Sequence, residues 1–387
     1  MKTLLSGILL LLAIGLNAQA YSIGHRQLNF SDPSRANRSI PAEIYYPAET
    51  SGDNVAIASG QFPVLVFGHG FVMTVDAYDV VRNLTVPEGF IMVFPTTEGS
   101  FSPSHTDFGK DLAFLVGAMK AEGQNSSSAF FGSISEKSAV MGHSMGGGSA
   151  FLAVQYDSSI TALATLAAAV TNPSSVTAAA DITIPSLTIS GANDCIAPAA
   201  DHQLPMYTAL SSDCKSYVSI LGASHCQFAG TSVACSFGEL TCSPGPAIAP
   251  LQQQVTAALY LNSWLKFYLK DDCAAAEEFQ TSISTAISID GQQNCALICA
   301  STGEGMFDTP SRLIVLPNPS NGRVTVSAET NWEKAHITVM NMLGEVLLTQ
   351  DSQQENSAVI NLDFLKNGMY LIALSEDGTS TRIQKLS

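Results

Sequence analysis

The chain has 387 residues, of which 46% are hydrophobic and 13% are charged, and its formal net charge at pH 7 is −16. This length exceeds that of an ordinary single domain and predicts one large domain with a smaller module. The 33 acidic residues outnumber the 17 lysines and arginines, so the chain repels nucleic-acid phosphates and anionic membranes at long range. We therefore expect no nucleic-acid partner.

The first twenty residues have the pattern of an export signal. Lys2 supplies a positive charge, an apolar run covers Leu4–Leu16, and Ala18–Ala20 forms a small-x-small cleavage site. The apolar run is too short to span a membrane, so we predict a signal peptide over residues 1–20, with a buried core helix as the alternative. The protein is therefore expected to leave the cytoplasm.

Residues 21–300 alternate short apolar runs with helical stretches. The strand candidates are Phe62–Phe67, Phe90–Phe94, Ser138–Met141, Ile184–Ser190 and Tyr217–Leu221. Apolar residues recur at helical spacing over 108–119, and Leu251–Leu269 is a longer amphipathic stretch. Short apolar strands separated by helices predict an α/β fold with a mostly parallel sheet that is covered on both faces. Ligands of such sheets bind beyond the carboxyl ends of the strands.

All eight cysteines lie between Cys195 and Cys299. An exported protein meets oxidising conditions, so an even number of cysteines predicts disulfides, although the spacing does not choose among the pairings. A zinc site is the alternative interpretation, but the chain has no CxxC pair and its histidines are scattered. We therefore predict no metal.

The composition changes near Ser301, and the small, polar residues that follow predict a linker over 301–311. From 312 to 387 the pattern is all-β and typical of a small sandwich without a catalytic constellation. The strand candidates are Leu313–Leu316, Val324–Ser327, Ile337–Met340, Val346–Leu348, Val359–Leu362, Tyr370–Leu374 and Thr381–Gln384, with turn signals such as Asn321-Gly322 between them.

This tail resembles the C-terminal sorting domain of type IX secretion, which occurs in Bacteroidetes-type bacteria. The matching segments are Leu316–Gly322, Val339–Gly344 and Leu365–Tyr370, with a basic end at Lys385. The resemblance implies that the type IX machinery is a partner, and that the tail is removed or anchored to the surface after export. A carbohydrate-binding sandwich is the alternative.

The segment Gly142–Gly146 carries the pattern G-x-S-x-G, directly after a strand candidate and before the helix-compatible run Ser149–Gln155. This is the context of a nucleophile elbow, a tight turn that exposes the serine hydroxyl. Side chains at Gly142 and Gly146 would collide with such a turn, and the helix N-terminus favours developing negative charge. We therefore predict that Ser144 is the nucleophile.

A serine hydroxyl becomes nucleophilic when a base accepts its proton and an acid orients that base. In this fold the chain order is serine, acid, histidine. Asp194 comes just after the strand candidate Ile184–Ser190, and His225 comes just after Tyr217–Leu221. We predict Asp194 as the acid and His225 as the base.

Other side chains compete for these two roles. If Asp194 only caps a turn, Asp201 or Asp213 would replace it as the acid. His202 is the main competitor as the base, but it follows the acid too soon for another strand to intervene. His69 is a second competitor, and it lies in a loop that uses histidine structurally.

An oxyanion hole needs two backbone N–H donors. One comes from the residue after the nucleophile, which is Met145. The other comes from an early strand-to-helix loop, and the segment Gly68–Phe71 after the first strand candidate supplies it, with the Phe71 N–H as the predicted donor.

Three segments together resemble the bacterial cutinase, lipase and polyester hydrolase family, which includes poly(ethylene terephthalate) hydrolases. They are Gly142–Gly148, Gly191–Pro198 and Gly222–His225, and the similarity covers roughly residues 42–299. The resemblance implies an α/β-hydrolase three-layer sandwich, no cofactor, and hydrolysis of acyl esters through an acyl-enzyme formed by the predicted triad.

The resemblance also gives expectations for the substrate cleft. Phe71 and Met145 take the positions that supply the oxyanion hole and line the acyl cleft, and we expect His143 and Val170 to contact substrate as well. Polyester-degrading members usually carry a tryptophan in a loop that here reads Leu166–Thr171, without an aromatic residue. One wall for stacking on a terephthalate ring is therefore missing.

Two cysteines directly follow the predicted acid and base, since Cys195 follows Asp194 and Cys226 follows His225. We hypothesise that a Cys195–Cys226 disulfide ties the two loops together, with pairing elsewhere as the alternative.

The leading functional prediction is a secreted, monomeric carboxylic ester hydrolase of lipase, cutinase or polyesterase character that acts on an ester or polyester. An esterase of the acetylhydrolase or dienelactone-hydrolase type, which prefers small esters, is the second prediction. A non-catalytic surface adhesin on a hydrolase scaffold is the alternative from another class, and the intact order of Ser144, Asp194 and His225 argues against it.

Overall fold

The computed structural model describes residues 21–297 apart from 231, residue 299, and, in the tail, residues 313–316, 320, 322–341, 346–366, 368, 370–376 and 380–386. The chain divides into two compact units between Ala300 and Ser301. The predicted signal peptide and linker lie outside the described residues. None of the helices in the described part is both long enough and apolar enough to span a bilayer.

The first unit is built on a ten-stranded sheet. Its strands are β1 (Ser22–Asp32), β2 (Arg38–Ala48), β3 (Gly52–Asp53), β4 (Phe62–Gly68), β5 (Ile91–Pro95), β6 (Ile134–His143), β7 (Ala162–Leu166), β8 (Ser186–Gly191), β9 (Lys215–Ile220) and β10 (Ile289–Gln293). Across the sheet the order is β10-β9-β8-β7-β6-β4-β5-β2-β1-β3. Strands β4 to β9 run parallel to their neighbours in this group, whereas β2 and β10 pair in antiparallel fashion with β5 and β9.

Helices cover both faces of this sheet. They are α1 (Asp79–Thr85), α2 (His105–Gln124), α3 (Met145–Val154), α4 (Ser175–Ala179), α5 (Gln203–Ala209), α6 (Val233–Glu239), α7 (Pro250–Lys270) and α8 (Cys273–Thr285). Buried side chains of α1, α7 and α8 form one apolar core with the sheet, and those of α2 to α5 form another. The result is the three-layer α/β-hydrolase sandwich that the sequence predicts.

Strand β4 illustrates why the central strands are apolar throughout. All seven of its residues are buried. Leu65 and Phe67 belong to the core on the side of α7, whereas Val64 and Val66 belong to the core on the side of α2 and α3. A strand that is covered on both faces has no solvent-facing position, so its sequence does not alternate.

The helices begin and end where local chemistry favours it. The side chain of Ser104 accepts the N–H of Asp107 at the start of α2 (3.2 Å), and the helix buries the apolar residues that recur over 108–119. Pro250 is the first residue of α7, a position where the missing N–H costs nothing, and Asp271 ends the helix in a left-handed conformation. Both predicted helices are confirmed.

The tail forms a five-stranded antiparallel sheet around its own apolar core. Its strands are β11 (Leu313–Leu316), β12 (Arg323–Asn341), β13 (Val346–Asn361), β14 (Tyr370–Glu376) and β15 (Ser380–Leu386). The candidates at 324–327 and 337–340 are two parts of β12, and those at 346–348 and 359–362 fall almost entirely within β13. A register shift between Ser327 and Trp332 interrupts the pairing of β12 with β13, and the apolar alternation stops there.

Candidate active site

Ser144 lies at the tight turn between β6 and α3. Its φ of 55° is in the left-handed region that non-glycine residues rarely adopt. A Cβ atom at Gly142 would overlap the backbone of Gly146, and one at Gly146 would overlap the backbone of Gly68, so neither position accepts a side chain. The Ser144 N–H donates to the carbonyl of Leu166 at the end of β7 (3.1 Å), which fixes the turn against the neighbouring strand.

His225 and Asp194 form a chain of hydrogen bonds with Ser144. Nε2 of His225 lies 2.8 Å from Oγ of Ser144, and Nδ1 lies 2.7 Å from Oδ2 of Asp194. The other carboxylate oxygen of Asp194 accepts the N–H groups of Ile196 (2.9 Å) and Ala197 (2.8 Å). An ionised carboxylate on Nδ1 holds the ring proton there, which leaves Nε2 free to accept the serine proton.

The sheet explains why these three side chains meet. Ser144 follows β6, Asp194 follows β8, and His225 follows β9, and these parallel strands end at the same edge of the sheet. The structure thus brings together the three residues that the sequence predicts for catalysis. The carboxylate on the His225 ring is that of Asp194, so the alternative acids Asp201 and Asp213 do not take this place.

The ring of His143 is hydrogen-bonded to the His225 loop and to Tyr78. Its Nε2 donates to the carbonyl of His225 (3.1 Å), because a carbonyl only accepts. In a neutral ring Nδ1 is then the acceptor, and the hydroxyl of Tyr78 donates a hydrogen bond to it (3.0 Å). Burial, and next the neighbouring His225 ring, hold the pKa of His143 well below its ordinary value of 6.5, so the ring is neutral.

The substrate contact expected of His143 stays a prediction. The residue is fully buried, and both ring nitrogens have protein partners. Its neighbour Tyr78 was not found from the sequence, because one buried tyrosine among many apolar residues has no distinguishing pattern. The Tyr78 hydroxyl accepts the N–H of Gly70 (2.7 Å) and therefore connects the loop after β4 to the His225 loop.

The predicted oxyanion donors lie at the start of α3 and in the loop after β4. Met145 is the first residue of α3, so its N–H has no acceptor within the helix, and its side chain is buried. The Phe71 side chain is 47% exposed and is therefore accessible to a ligand. Val170 is half-buried, and its N–H donates to Nδ1 of His202 (2.9 Å).

The competing bases have structural partners. His202 accepts from Val170 and so holds the loop after β7, and burial lowers its pKa. Nδ1 of His69 lies 2.9 Å from the carbonyl of Gly70, and Nε2 lies 2.8 Å from the carbonyl of Thr97. Neither ring approaches Ser144 in the way that His225 does.

Four disulfides pair all eight cysteines. They are Cys195–Cys242, Cys214–Cys295, Cys226–Cys235 and Cys273–Cys299. The hypothesised Cys195–Cys226 disulfide is wrong. Because Asp194 and His225 point their side chains toward each other, the residues next to them point elsewhere, and both of these cysteines bond to the segment that follows His225.

The part of that segment over residues 232–248 we call the strap. Besides Cys235 and Cys242 it contains Glu239, whose carboxylate accepts the N–H of Cys226 (2.7 Å). The side-chain amide of Asn193 donates to the carbonyl of Gly245 in the strap (2.8 Å). The strap therefore contacts the chain immediately beside both the predicted acid and the predicted base.

Comparisons with known proteins agree with this architecture. A family model described as PET hydrolase-like matches residues 22–295, and a model of the secretion system C-terminal sorting domain matches residues 314–387. Bis(hydroxyethyl) terephthalate hydrolase of Streptomyces coelicolor is 26% identical over 234 residues, which are 59% of this chain and 62% of that protein. The chain therefore spans less than two thirds of the length of this curated relative.

Proposed function

This chain belongs to the PET hydrolase-like family, and from that membership we propose that it is a secreted serine hydrolase whose Ser144, His225 and Asp194 form the catalytic triad. Family membership and the curated relative make the chain a carboxylic ester hydrolase, and the C-terminal domain gives it a type IX sorting tail. The single observation that supports the triad is the 2.8 Å separation of Ser144 Oγ from His225 Nε2, with Asp194 on the other ring nitrogen.

The reaction follows from this geometry. His225 Nε2 accepts the hydroxyl proton of Ser144 as Oγ bonds to the ester carbonyl carbon, and the carbonyl oxygen takes the electron pair. The N–H groups of Met145 and Phe71 donate to that oxyanion, an interaction worth about 3 kcal/mol per donor in related chemistry. The intermediate collapses, the C–O bond of the alcohol breaks, and the imidazolium returns its proton to the alcohol.

Water then replaces the alcohol in the second half-reaction. His225 takes a proton from water, the hydroxide oxygen bonds to the acyl carbon, and the bond to Ser144 Oγ breaks as the proton returns to it. Asp194 stays ionised and stabilises the imidazolium in both halves. The two N–H groups that donate to its other oxygen support this role, because they hold the carboxylate in place against the His225 ring.

The proposed substrate is an ester with an apolar acyl group or an apolar polyester. The relative from Streptomyces coelicolor is named for a terephthalate ester, and Phe71 offers an accessible ring beside the proposed oxyanion hole. We also propose that residues 21–300 form the catalytic domain, that residues 312–387 form the sorting domain, and that a signal peptide precedes both.

Hydrolysis of p-nitrophenyl butyrate by purified mature protein tests the triad. Ser144→Ala should lower kcat by about 10⁴-fold or more with an unchanged melting temperature, and Asp194→Ala should lower it less, since the serine and histidine remain. Full activity of Ser144→Ala would refute the proposal. If the unaltered protein hydrolyses p-nitrophenyl acetate but not the butyrate, the result would instead favour a small-ester esterase.

A further inference from the structure

Two solvent-exposed phenylalanine rings contact each other beside the proposed oxyanion hole. Phe71 is 47% exposed and Phe101 is 84% exposed, and their ring centroids are 6.2 Å apart with an angle of 74° between the planes. Exposed aromatic rings that gather at a site often mark a surface that a ligand covers, because their contact with water is unfavourable. The triad chemistry does not use Phe101.

The position of Phe101 in the fold places it on one side of Ser144. It lies in the loop between β5 and α2, and Phe71 lies in the loop after β4. In the sheet, β4 and β5 are on one side of β6, and β8 and β9 are on the other. The two rings are therefore on the side of Ser144 opposite to Asp194 and His225.

The loop that carries Phe101 is held at both ends. One carboxylate oxygen of Glu98 accepts the N–H of Ser104 (2.6 Å), and the other pairs with Arg38 (2.8 Å). Near the start of the loop, the carbonyl of Thr97 lies 2.8 Å from Nε2 of His69, which is two residues before Phe71. Ionic and hydrogen-bond contacts thus fix the two ring-bearing loops relative to each other, although no contact buries the Phe101 ring itself.

We propose that Phe101 is a specificity residue that, with Phe71, binds an aromatic ring in the acyl part of the ester. A substrate ring that meets the edge or face of Phe101 covers its exposed surface and adds the favourable geometry of an aromatic pair. Phe101 enlarges the aromatic surface on the Phe71 side of Ser144, and the loop 166–171, which lacks a tryptophan, lies on the other side. This inference rests on the proposed function, since it assigns the acyl group that Ser144 receives.

The test uses two esters with the same alcohol, 2-hydroxyethyl benzoate and 2-hydroxyethyl hexanoate, and the full mature protein. Phe101→Ala should lower kcat/KM for the benzoate by roughly fivefold to tenfold, mostly through KM, and change the hexanoate by no more than about twofold. Phe101→Tyr should keep the preference of the unaltered enzyme, because it retains a ring. Phe101→Leu should lose it, because it retains only apolar area.

The matched control is Phe131→Ala. Phe131 is 56% exposed but precedes β6, at the edge of the sheet opposite to Ser144, and should affect neither ester. Equal losses on both esters in Phe101→Ala, or no loss on the benzoate, would overturn the inference while leaving the triad intact. If the unaltered enzyme hydrolyses neither ester, both the proposed function and this inference are refuted.

Discussion

The two sides of Ser144 are held by different kinds of interaction. On the side of Asp194 and His225, the disulfides Cys195–Cys242 and Cys226–Cys235 attach both loops to the strap. On the side of the loops after β4 and β5 there is no cysteine, since every cysteine lies at or beyond Cys195. Buried charges perform the corresponding role there.

The charged cluster centres on Asp111 of α2, whose side chain is fully buried. Its two oxygens bind Arg35 (2.6 Å) and Arg38 (2.8 Å), and the hydroxyl of Thr97 donates to it (2.6 Å). The hydrogen bond to Asp111 is the main cause that raises the pKa of Arg38 above its ordinary value. Through Arg38 the cluster also holds Glu98, and so the loop of Phe101.

The two sides of the site are thus stabilised by bonds that break under different conditions. Disulfides resist acid and salt but yield to a reductant, whereas buried ion pairs resist a reductant but lose their attraction when the carboxylate is protonated or removed. His143 spans the two sides, because its ring contacts the carbonyl of His225 and, through Tyr78, the N–H of Gly70. Each side can therefore be weakened separately.

The largest effect is expected on the charged side. Asp111→Ala leaves two guanidinium groups without their buried partner, so we expect the free energy of unfolding to fall by about 3–5 kcal/mol. Urea denaturation measures it. As a control, Lys137→Ala breaks an ion pair with the exposed Asp271 and should cost less than about 1 kcal/mol. A similar loss in both variants would contradict the buried-cluster interpretation.

The next effect separates the disulfides by position. Replacing Cys195 and Cys242 with serine should lower the free energy of unfolding by about 2–4 kcal/mol and also lower kcat, because Asp194 is next to the lost bond. Replacing Cys273 and Cys299 removes a disulfide that follows α7, and should lower stability with little change in kcat. Equal kcat losses in the two variants would show that position relative to Asp194 does not matter.

The smallest effect concerns His143, which links the two sides. As the pH falls through about 6.5 the unfolded chain protonates this ring while the folded protein does not, so the unfolded state binds more protons and stability decreases, by at most about 1.4 kcal/mol per pH unit. Above that pH the ring is neutral in both states and adds no slope. Denaturation between about pH 5 and 8 should show a shallower slope for His143→Gln than for the unaltered protein. Identical slopes would contradict the assignment.

The sequence by itself determined the features that depend on short stretches of backbone. The central strands are continuous apolar runs because both faces are covered, and the glycines at Gly142 and Gly146 indicate a turn without room for side chains. Each proposed catalytic residue comes within five residues of the end of a strand. For parallel strands this is sufficient, since their carboxyl ends meet at one edge wherever the intervening chain runs.

Tertiary structure alone decided which way the neighbouring side chains point. Cys195 and Cys226 each follow a proposed catalytic residue, yet they bond to Cys242 and Cys235, and His143 turns into the core although it precedes Ser144. Likewise, nothing in the sequence relates Phe101 to Phe71, which are thirty residues apart. Their rings meet because the loops that carry them follow the adjacent strands β4 and β5. Local patterns record backbone geometry and burial, whereas the direction of a side chain and its distant partner depend on how separate segments pack together.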